Sequence, residues 1–176
     1  MKLSHVAGVF GLLLLAAVPG RADVFVTGAQ GVGPVTELPL PRYVSLKAAR
    51  ANMRRGPGRS HRIDWILRHR GMPLQVVAEY EHWRRVRDRD GAAGWVHYTL
   101  LSGVRTVVIT EPDTPLRADP SRFSATVALA EAGVILALGD CLPDWCRVEE
   151  AGVEGWVARE DVWGLDPAPA EIAAGG

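Results

Sequence analysis

The stretch that decides the fold is RYVSLKAARANMR at residues 42–54, because it returns as RTVVITEPDTPLR at residues 105–117. The two segments align without a gap, and arginine stands at both ends of each. A segment that recurs along a chain indicates a repeated structural unit. The sequence therefore predicts two related units.

Further landmarks recur downstream in the same order, at a period of roughly sixty residues. They are a glycine before an apolar stretch, a tryptophan motif and a Gly-Trp-Val motif: Gly71 and Gly133, WRRV at 83–86 and WCRV at 145–148, and GAAGWV at 91–96 and GVEGWV at 152–157. Chance similarity would not easily reproduce this order, so the repeat is treated as real.

Within each unit the pattern is that of short β-strands. In the first unit, PLQVVAEY (73–80) and WRRVRD (83–88) are rich in β-branched and aromatic residues, which favours strands. DRDG (88–91) is a turn signal, and GWVHY (94–98) then supplies the return strand. We expect each unit to be built from about five such strands.

A unit of this size must close on itself to hide its strand edges. The predicted fold class is therefore all-β, with two tandem small β-barrels at residues 42–103 and 105–164. Residues 23–41 are predicted to be a linker, because three prolines and little periodicity occur there. Residues 165–176, rich in alanine, proline and glycine, are predicted to be a flexible tail.

Residues 1–22 have the pattern of a cleaved signal peptide. Lys2 precedes an apolar run at 6–18, and small residues end the segment before Asp23. The alternative is a short anchor that is never cut, although the run is shorter than the ~20 residues of a spanning helix. We expect an exported protein, periplasmic or secreted, with no integral membrane segment after cleavage.

The two cysteines lie close together in DCLPDWC, at Cys141 and Cys146. In an oxidising compartment such a pair favours a disulfide over a metal site, and Pro-Asp between them is a good turn pair. A bridge across a hairpin would remove only about 2 kcal/mol of denatured-chain entropy. A reactive redox pair is the alternative.

The motifs of the first unit resemble those of the bacterial SH3-like domain family. The resemblance rests on NMRRGPG (52–58), the glycine before an apolar strand, WRRV, GWV and a terminal YTLL (98–101). It is strong over the first unit and partial over the second, where the GPG turn has become Asp119-Pro120-Ser121 and Asn52 is replaced by Pro115. The altered turn puts a ligand site on that loop of the second unit in doubt.

The resemblance implies two tandem SH3-like barrels, an envelope location, and binding of a cell-wall peptide or a protein partner. It implies no catalysis and no cofactor. Cysteines that flank the turn before the central tryptophan also fit exported members of the family. Nothing in the sequence offers a catalytic alternative, since no serine or acidic pair has an activating context. We expect a binding module that is not an enzyme.

Charge divides the chain although its formal total is zero. Residues 42–105 contain fourteen Arg or Lys against five Asp or Glu, a net of +9, whereas residues 106–176 contain four against thirteen, a net of −9. The basic first unit is predicted to attract an anionic ligand, such as a carboxylate-bearing peptide of peptidoglycan or anionic lipid headgroups. The candidate ligand-binding residues are Arg54, Arg55, Arg59, Arg62, Trp65, Tyr80 and Trp83.

Two other interpretations of the charge remain open. The halves could satisfy each other by packing, or by head-to-tail contact with a neighbouring molecule, which would make the protein a self-associating structural adaptor. Alternatively, eighteen arginines beside two lysines could reflect composition bias. Nucleic acid is not expected as a partner of an exported protein.

The tryptophans and histidines have structural interpretations too. Trp95 and Trp156 are expected in the barrel cores, Trp83 and Trp145 in a core or at a groove rim, and Trp65 at the surface. Four histidines fall in the first unit, but none has the tight pair spacing of zinc sites, so no metal is predicted. They are His61, His69, His82 and His97.

Overall fold

The computed structural model describes residues 31–166. The predicted signal peptide at 1–22 lies outside the described residues. Within 31–166, no helix is both long and apolar enough to cross a membrane. The described chain opens with a small hairpin, in which β1 (Gly31–Val32) pairs antiparallel with β2 (Pro39–Leu40). The segment predicted to be a linker, 23–41, therefore contains a two-stranded sheet within its described part.

Each repeat then forms its own seven-stranded antiparallel sheet. The first is built from β3 Arg42–Leu46, β4 Ala51–Arg54, β5 Ile63–Leu67, β6 Pro73–Tyr80, β7 Trp83–Arg87, β8 Ala93–His97 and β9 Leu101–Ser102. The second is built from β10 Thr106–Ile109, β11 Thr114–Arg117, β12 Thr126–Ala130, β13 Ile135–Cys141, β14 Trp145–Glu150, β15 Val153–Ala158 and β16 Val162–Trp163.

The two sheets have the same topology. The strand order is β5-β4-β8-β7-β6-β3-β9 in the first and β12-β11-β15-β14-β13-β10-β16 in the second, so every strand has an equivalent at the same place. A single 3-10 turn follows the sixth strand of each repeat, at Tyr98–Leu100 and Arg159–Asp161. The all-β prediction of two tandem SH3-like barrels is confirmed, with seven strands per repeat rather than about five.

Each barrel encloses a separate aliphatic core. The residues of the first cluster are Leu46, Ala51, Met53, Leu67, Leu74, Val76, Val86 and Val96. The residues of the second are Val107, Ile109, Leu116, Ala130, Leu136, Cys146, Val148, Val157 and Val162. Side chains of a strand alternate between faces, so the inward set recurs at every second residue.

That alternation corrects the expectation for two tryptophans. In β8, Gly94 and Val96 are buried, so Trp95 between them lies on the opposite face and is only half-buried. Trp156 has the same place in β15 and is also half-buried. A Cβ on Gly94 would lie 2.6 Å from Met53 Cγ, so the glycine makes room for the core methionine. The cores are aliphatic and the tryptophans cover their outside.

The hairpin of β1 and β2 is attached to the first barrel through one buried carboxylate, Glu79 on β6. Its oxygens accept hydrogen bonds from the backbone N–H of Val35 at 3.1 Å and of Thr36 at 2.9 Å, and from the Thr36 hydroxyl at 2.7 Å. Arg42 donates to the same carboxylate at 2.7 Å, and Arg84 lies 3.4 Å from it. The segment predicted as a linker is thus fastened to the barrel.

The two barrels contact each other directly. The Thr106 hydroxyl donates to the Gly71 carbonyl at 2.5 Å, and the rings of Tyr43 and Trp163 meet edge to face with centroids 5.1 Å apart. The chain after the second barrel is also held at its start, since Asp166 pairs with Arg105 at 2.5 Å. The first two residues of the predicted tail are therefore anchored; 167–176 lie outside the described residues.

The predicted disulfide is confirmed. Cys141 at the end of β13 and Cys146 in β14 are bonded, and they are directly opposite each other in the strand pairing. Cys146 is fully buried in the second core.

Candidate functional site

The loop between β4 and β5 carries the RRGPG motif. Its backbone is closed by hydrogen bonds from Arg55 N–H to the Arg62 carbonyl at 3.0 Å and from His61 N–H to the Gly58 carbonyl at 3.3 Å. A Cβ on Gly56 would lie 2.7 Å from the ring of His61, so this glycine allows the imidazole to pack over the turn. The loop is a compact platform.

The second repeat keeps this loop without its glycines. Ala118 N–H donates to the Ala125 carbonyl at 2.9 Å and Ser124 N–H to the Ser121 carbonyl at 3.1 Å, at the equivalent positions. Asp119 replaces Gly56, and Ser124 replaces His61; the serine hydroxyl donates to the Asp119 carboxylate at 3.0 Å. A smaller partner makes room for the side chain, so the turn is retained.

A cleft of about 570 Å³ opens beside the loop of the first repeat. It lies between the outer face of β4, the loop and the start of β7. The lining residues are Arg50, Ala51, Asn52, Arg54, Arg59, Trp83, His97, Thr99 and Leu100. The lining contains three guanidinium groups and no carboxylate, so the cleft is a cationic pocket.

None of the three arginines forms an ion pair within 4 Å with a carboxylate of residues 31–166, so Arg50, Arg54 and Arg59 all lack a counter-charge there. Arg54 instead donates to the His61 carbonyl at 2.7 Å, which holds the loop against the strand. Arginines without a partner are available to form charge-assisted hydrogen bonds with an anion.

One wall of the cleft is aromatic. The rings of Trp83 and His97 meet edge to face with centroids 5.4 Å apart. His97 Nδ1 lies 2.8 Å from the Thr99 hydroxyl, and His82 and Tyr98 pack behind it. Burial lowers the pKa of His97, and the neighbouring charge of His82 lowers it further. At neutral pH the ring is uncharged, and the positive charge of the cleft comes from arginine.

The remaining predicted residues lie outside this cleft. Arg55 and Arg62 both pair with Asp64, at 3.2 Å and 2.6 Å, and the two guanidinium groups lower the pKa of that carboxyl, Arg62 the more strongly. Trp65 is exposed on the edge strand β5, as expected. Tyr80 is exposed and faces Trp83 across the β6–β7 pairing, but it does not line the cleft.

The structure thus brings together Arg54, Arg59 and Trp83 and adds residues that were not among the predicted ligand-binding residues. Asn52 could have been found from strand alternation, since it shares the outer face of β4 with Arg54. No such signal marks Arg50, His97 and Thr99, because they come from the segment before β4, from the end of β8 and from the 3-10 turn after it. Only barrel closure brings them to the cleft.

The second repeat fills the equivalent place with an internal ion pair. The hollow there measures about 260 Å³ and is lined by Arg122, Pro143, Asp144, Trp145, Ala158, Arg159 and Glu160. Arg122 corresponds to Arg59, and Glu160 corresponds to Thr99; the two are paired at 3.0 Å. The cation that is free in the first repeat is neutralised in the second.

No group of His, Cys, Asp and Glu in residues 31–166 is arranged to hold a metal ion.

A family model for the bacterial SH3 domain matches residues 47–103 and again residues 111–164. The chain belongs to the bacterial SH3 domain family. The two matches fall on the two seven-stranded sheets. Bacterial SH3 domains are non-catalytic binding modules of the cell envelope, typically extracellular, and the disulfide fits an oxidising location.

Solved structures similar to this chain include NlpC/P60 proteins. NlpC2 and NlpC1 of Trichomonas vaginalis are each 14% identical with a TM-score of 0.33; the alignments cover 73% of this chain and 51% and 49% of theirs. An NlpC/P60 family protein of Bacillus cereus is 15% identical over 75% of this chain and 61% of that one, with a TM-score of 0.32. This chain thus spans about half to three fifths of their length. No curated protein matches it.

Proposed function

We propose that the protein is a non-enzymatic module of the bacterial envelope that binds a carboxylate-bearing cell-wall peptide in the cleft of its first repeat. The observation that carries the proposal is the pair of unpartnered arginines, Arg50 and Arg59, facing a cleft without a carboxylate. We also propose that residues 1–22 direct the chain to the periplasm or the outside and are removed.

Different residues of the cleft contribute different interactions to ligand binding. Arg50 and Arg59 supply the attraction, and arginine can bind a carboxylate through two parallel N–H donors. Asn52 and Thr99 offer neutral donors and acceptors beside them. Trp83 provides the apolar surface for an aliphatic side chain next to the carboxylate, since aromatic residues and arginine are the usual anchors of a binding site.

The second repeat has a supporting role in this proposal. Its equivalent cation is already paired with Glu160, so an incoming anion would have to displace a carboxylate at no net gain in charge. We therefore assign ligand binding to the first repeat and docking or support to the second.

Co-sedimentation with purified peptidoglycan sacculi at about 10 mM salt, where the Debye length is about 30 Å, tests the proposal. Arg50→Ser/Arg59→Ser removes the two free cations of the cleft. Arg55→Ser/Arg62→Ser is a matched control, because it removes the same charge from residues that pair with Asp64 outside the cleft. We expect wild type and the control to pellet and the cleft variant to stay in solution.

Each other result has a definite meaning. Equal loss in both variants would show that binding depends on overall charge and not on the cleft. If wild type does not pellet at low salt, a wall ligand is excluded. The cleft then has to be tested against acidic envelope proteins.

A further inference from the structure

Each barrel has one edge strand that exposes apolar side chains. β5 ends the first sheet and β12 ends the second, so one side of each strand has no neighbour in the described structure. Ile66 on β5 and Leu129 on β12 occupy equivalent positions, and 38% and 64% of their surfaces are exposed. An exposed edge strand is a template for pairing with another chain.

β12 lacks the devices that usually block such pairing. Its sequence, TVALA, contains no charged residue and no proline. Natural proteins protect sheet edges with lysine, proline or an inward charge, and a strand without them remains open to a partner. Phe123, in the loop before β12, is also fully exposed.

The ends of the two edge strands carry opposite charge. Arg50 and Arg68 lie at one end of the β4–β5 hairpin, and their equivalents in the second repeat are Asp113 and Glu131. Arg55 and Arg62 lie at the other end of β5 and share the single carboxylate of Asp64, so that end keeps one excess positive charge and the edge is basic at both ends. The acidic end of β12 therefore meets a basic end of β5 in either strand direction.

We propose that β12 of one molecule pairs with β5 of a second copy of the same chain, in a head-to-tail contact. A second copy fits because each chain carries both complementary edges, and pairing of β12 with another β12 would bring two acidic repeats together. Such a contact is heterologous: it gives a closed ring or reciprocal dimer if the geometry closes, and an open chain if it does not.

Sedimentation velocity of the chain from Asp23 onward tests this, with two edge-blocking variants. Leu129→Lys blocks β12 and Ile66→Lys blocks β5, and both sites are exposed, so the lysine does not enter a core. We expect wild type to associate at about 10 mM salt and to do so about tenfold more weakly at about 150 mM. Each variant alone should be monomeric. An equimolar mixture should form a dimer and nothing larger, because β5 of the Leu129→Lys chain can still pair with β12 of the Ile66→Lys chain.

Val153→Lys is the matched control, because Val153 is exposed on β15, which lies inside the sheet. It should associate like wild type. A monomeric wild type at low salt would overturn the proposal, as would association that Leu129→Lys leaves unchanged. If Ile66→Lys alone still dimerises while Leu129→Lys does not, the contact joins two β12 strands and the head-to-tail arrangement is wrong.

Discussion

In each repeat, one pair of facing residues joins the fourth and fifth strands, and the two repeats use different interactions at this pair. In the first, Glu79 on β6 lies opposite Arg84 on β7, and the buried pair is 3.4 Å apart. In the second, the equivalent residues are Cys141 and Cys146, which form the disulfide. The bonded cysteines need no other partner, whereas the buried carboxylate requires donors around it and obtains them from the hairpin of β1 and β2.

This difference explains why the N-terminal hairpin belongs to the first barrel alone. A buried carboxylate is stable only when its charge and its lone pairs are satisfied. Glu79 reaches this state through Thr36, Val35 and Arg42, so the chain before the first barrel becomes part of it. Arg105 is the equivalent of Arg42. Because Cys141 stands in place of Glu79 in the second repeat, Arg105 pairs instead with Asp166, after the second barrel.

The largest effect is expected from Glu79→Gln. It leaves Arg42 and Arg84 without a counter-charge in a buried site, which should lower the free energy of unfolding by about 3 kcal/mol. Urea unfolding followed by tryptophan fluorescence measures this. Glu81→Gln makes the same change at an exposed position and should have almost no effect. Equal stability of the two variants would contradict the role given to Glu79.

The same carboxylate predicts a pH dependence. Burial by itself raises the pKa of Glu79, but hydrogen bonds from Thr36 and Arg42 outweigh it and lower the pKa from 4.5 to about 2. Because the pKa is lower in the folded state, the stabilisation is complete above pH 4.5 and is lost as pH falls toward 2. Wild type should lose about 3 kcal/mol more than Glu79→Gln across this window.

A smaller loss is expected when the disulfide is removed. Cys141→Ala/Cys146→Ala should lower the free energy of unfolding by about 2 kcal/mol, because the closed loop is short. Reduction of the wild-type chain should cause a similar loss and leave the double variant unchanged. If the double variant is as stable as the oxidised wild type, the β13–β14 hairpin does not need the disulfide for its stability.

Exchange of one side chain should make the cleft of the first repeat resemble that of the second. Thr99→Glu places a carboxylate where Glu160 neutralises Arg122, and should weaken binding to sacculi about tenfold. Thr99→Gln is the uncharged control and should bind nearly as wild type. Weakening by both variants alike would indicate a steric effect instead of charge.

The smallest effect concerns the loop glycine. In urea unfolding, Gly56→Ala should cost about 1 kcal/mol, because its methyl group meets the His61 ring. Combined with His61→Ser, the pairing found at Asp119 and Ser124, it should cost only a few tenths of a kcal/mol. If the costs of the two single substitutions simply add in the double variant, the His61 ring is not the reason that residue 56 is glycine.

Features with a local signal could be predicted from the sequence. Turns, strand runs and the cysteine spacing depend on neighbouring residues, and they predicted the β6 strand, the turn at 88–91 and the disulfide. Prediction failed where the signal was not local, as for Trp95 and Trp156, because a glycine before a tryptophan does not say which face of the strand points inward. The candidate site was predicted in part: Arg54, Arg59 and Trp83 meet in the cleft, while Arg55 and Arg62 pair with Asp64.

By itself, the sequence determined the repeat, the all-β class and the separation of charge, because each can be read from residue order. Tertiary structure alone decided that Glu79 fastens the N-terminal hairpin, that Arg59 is free while Arg122 is paired, and that β5 and β12 each lie at an edge of their sheet. These features join residues far apart in the chain. Barrel closure determines which of them meet, and opposite charges neutralise each other only where they meet.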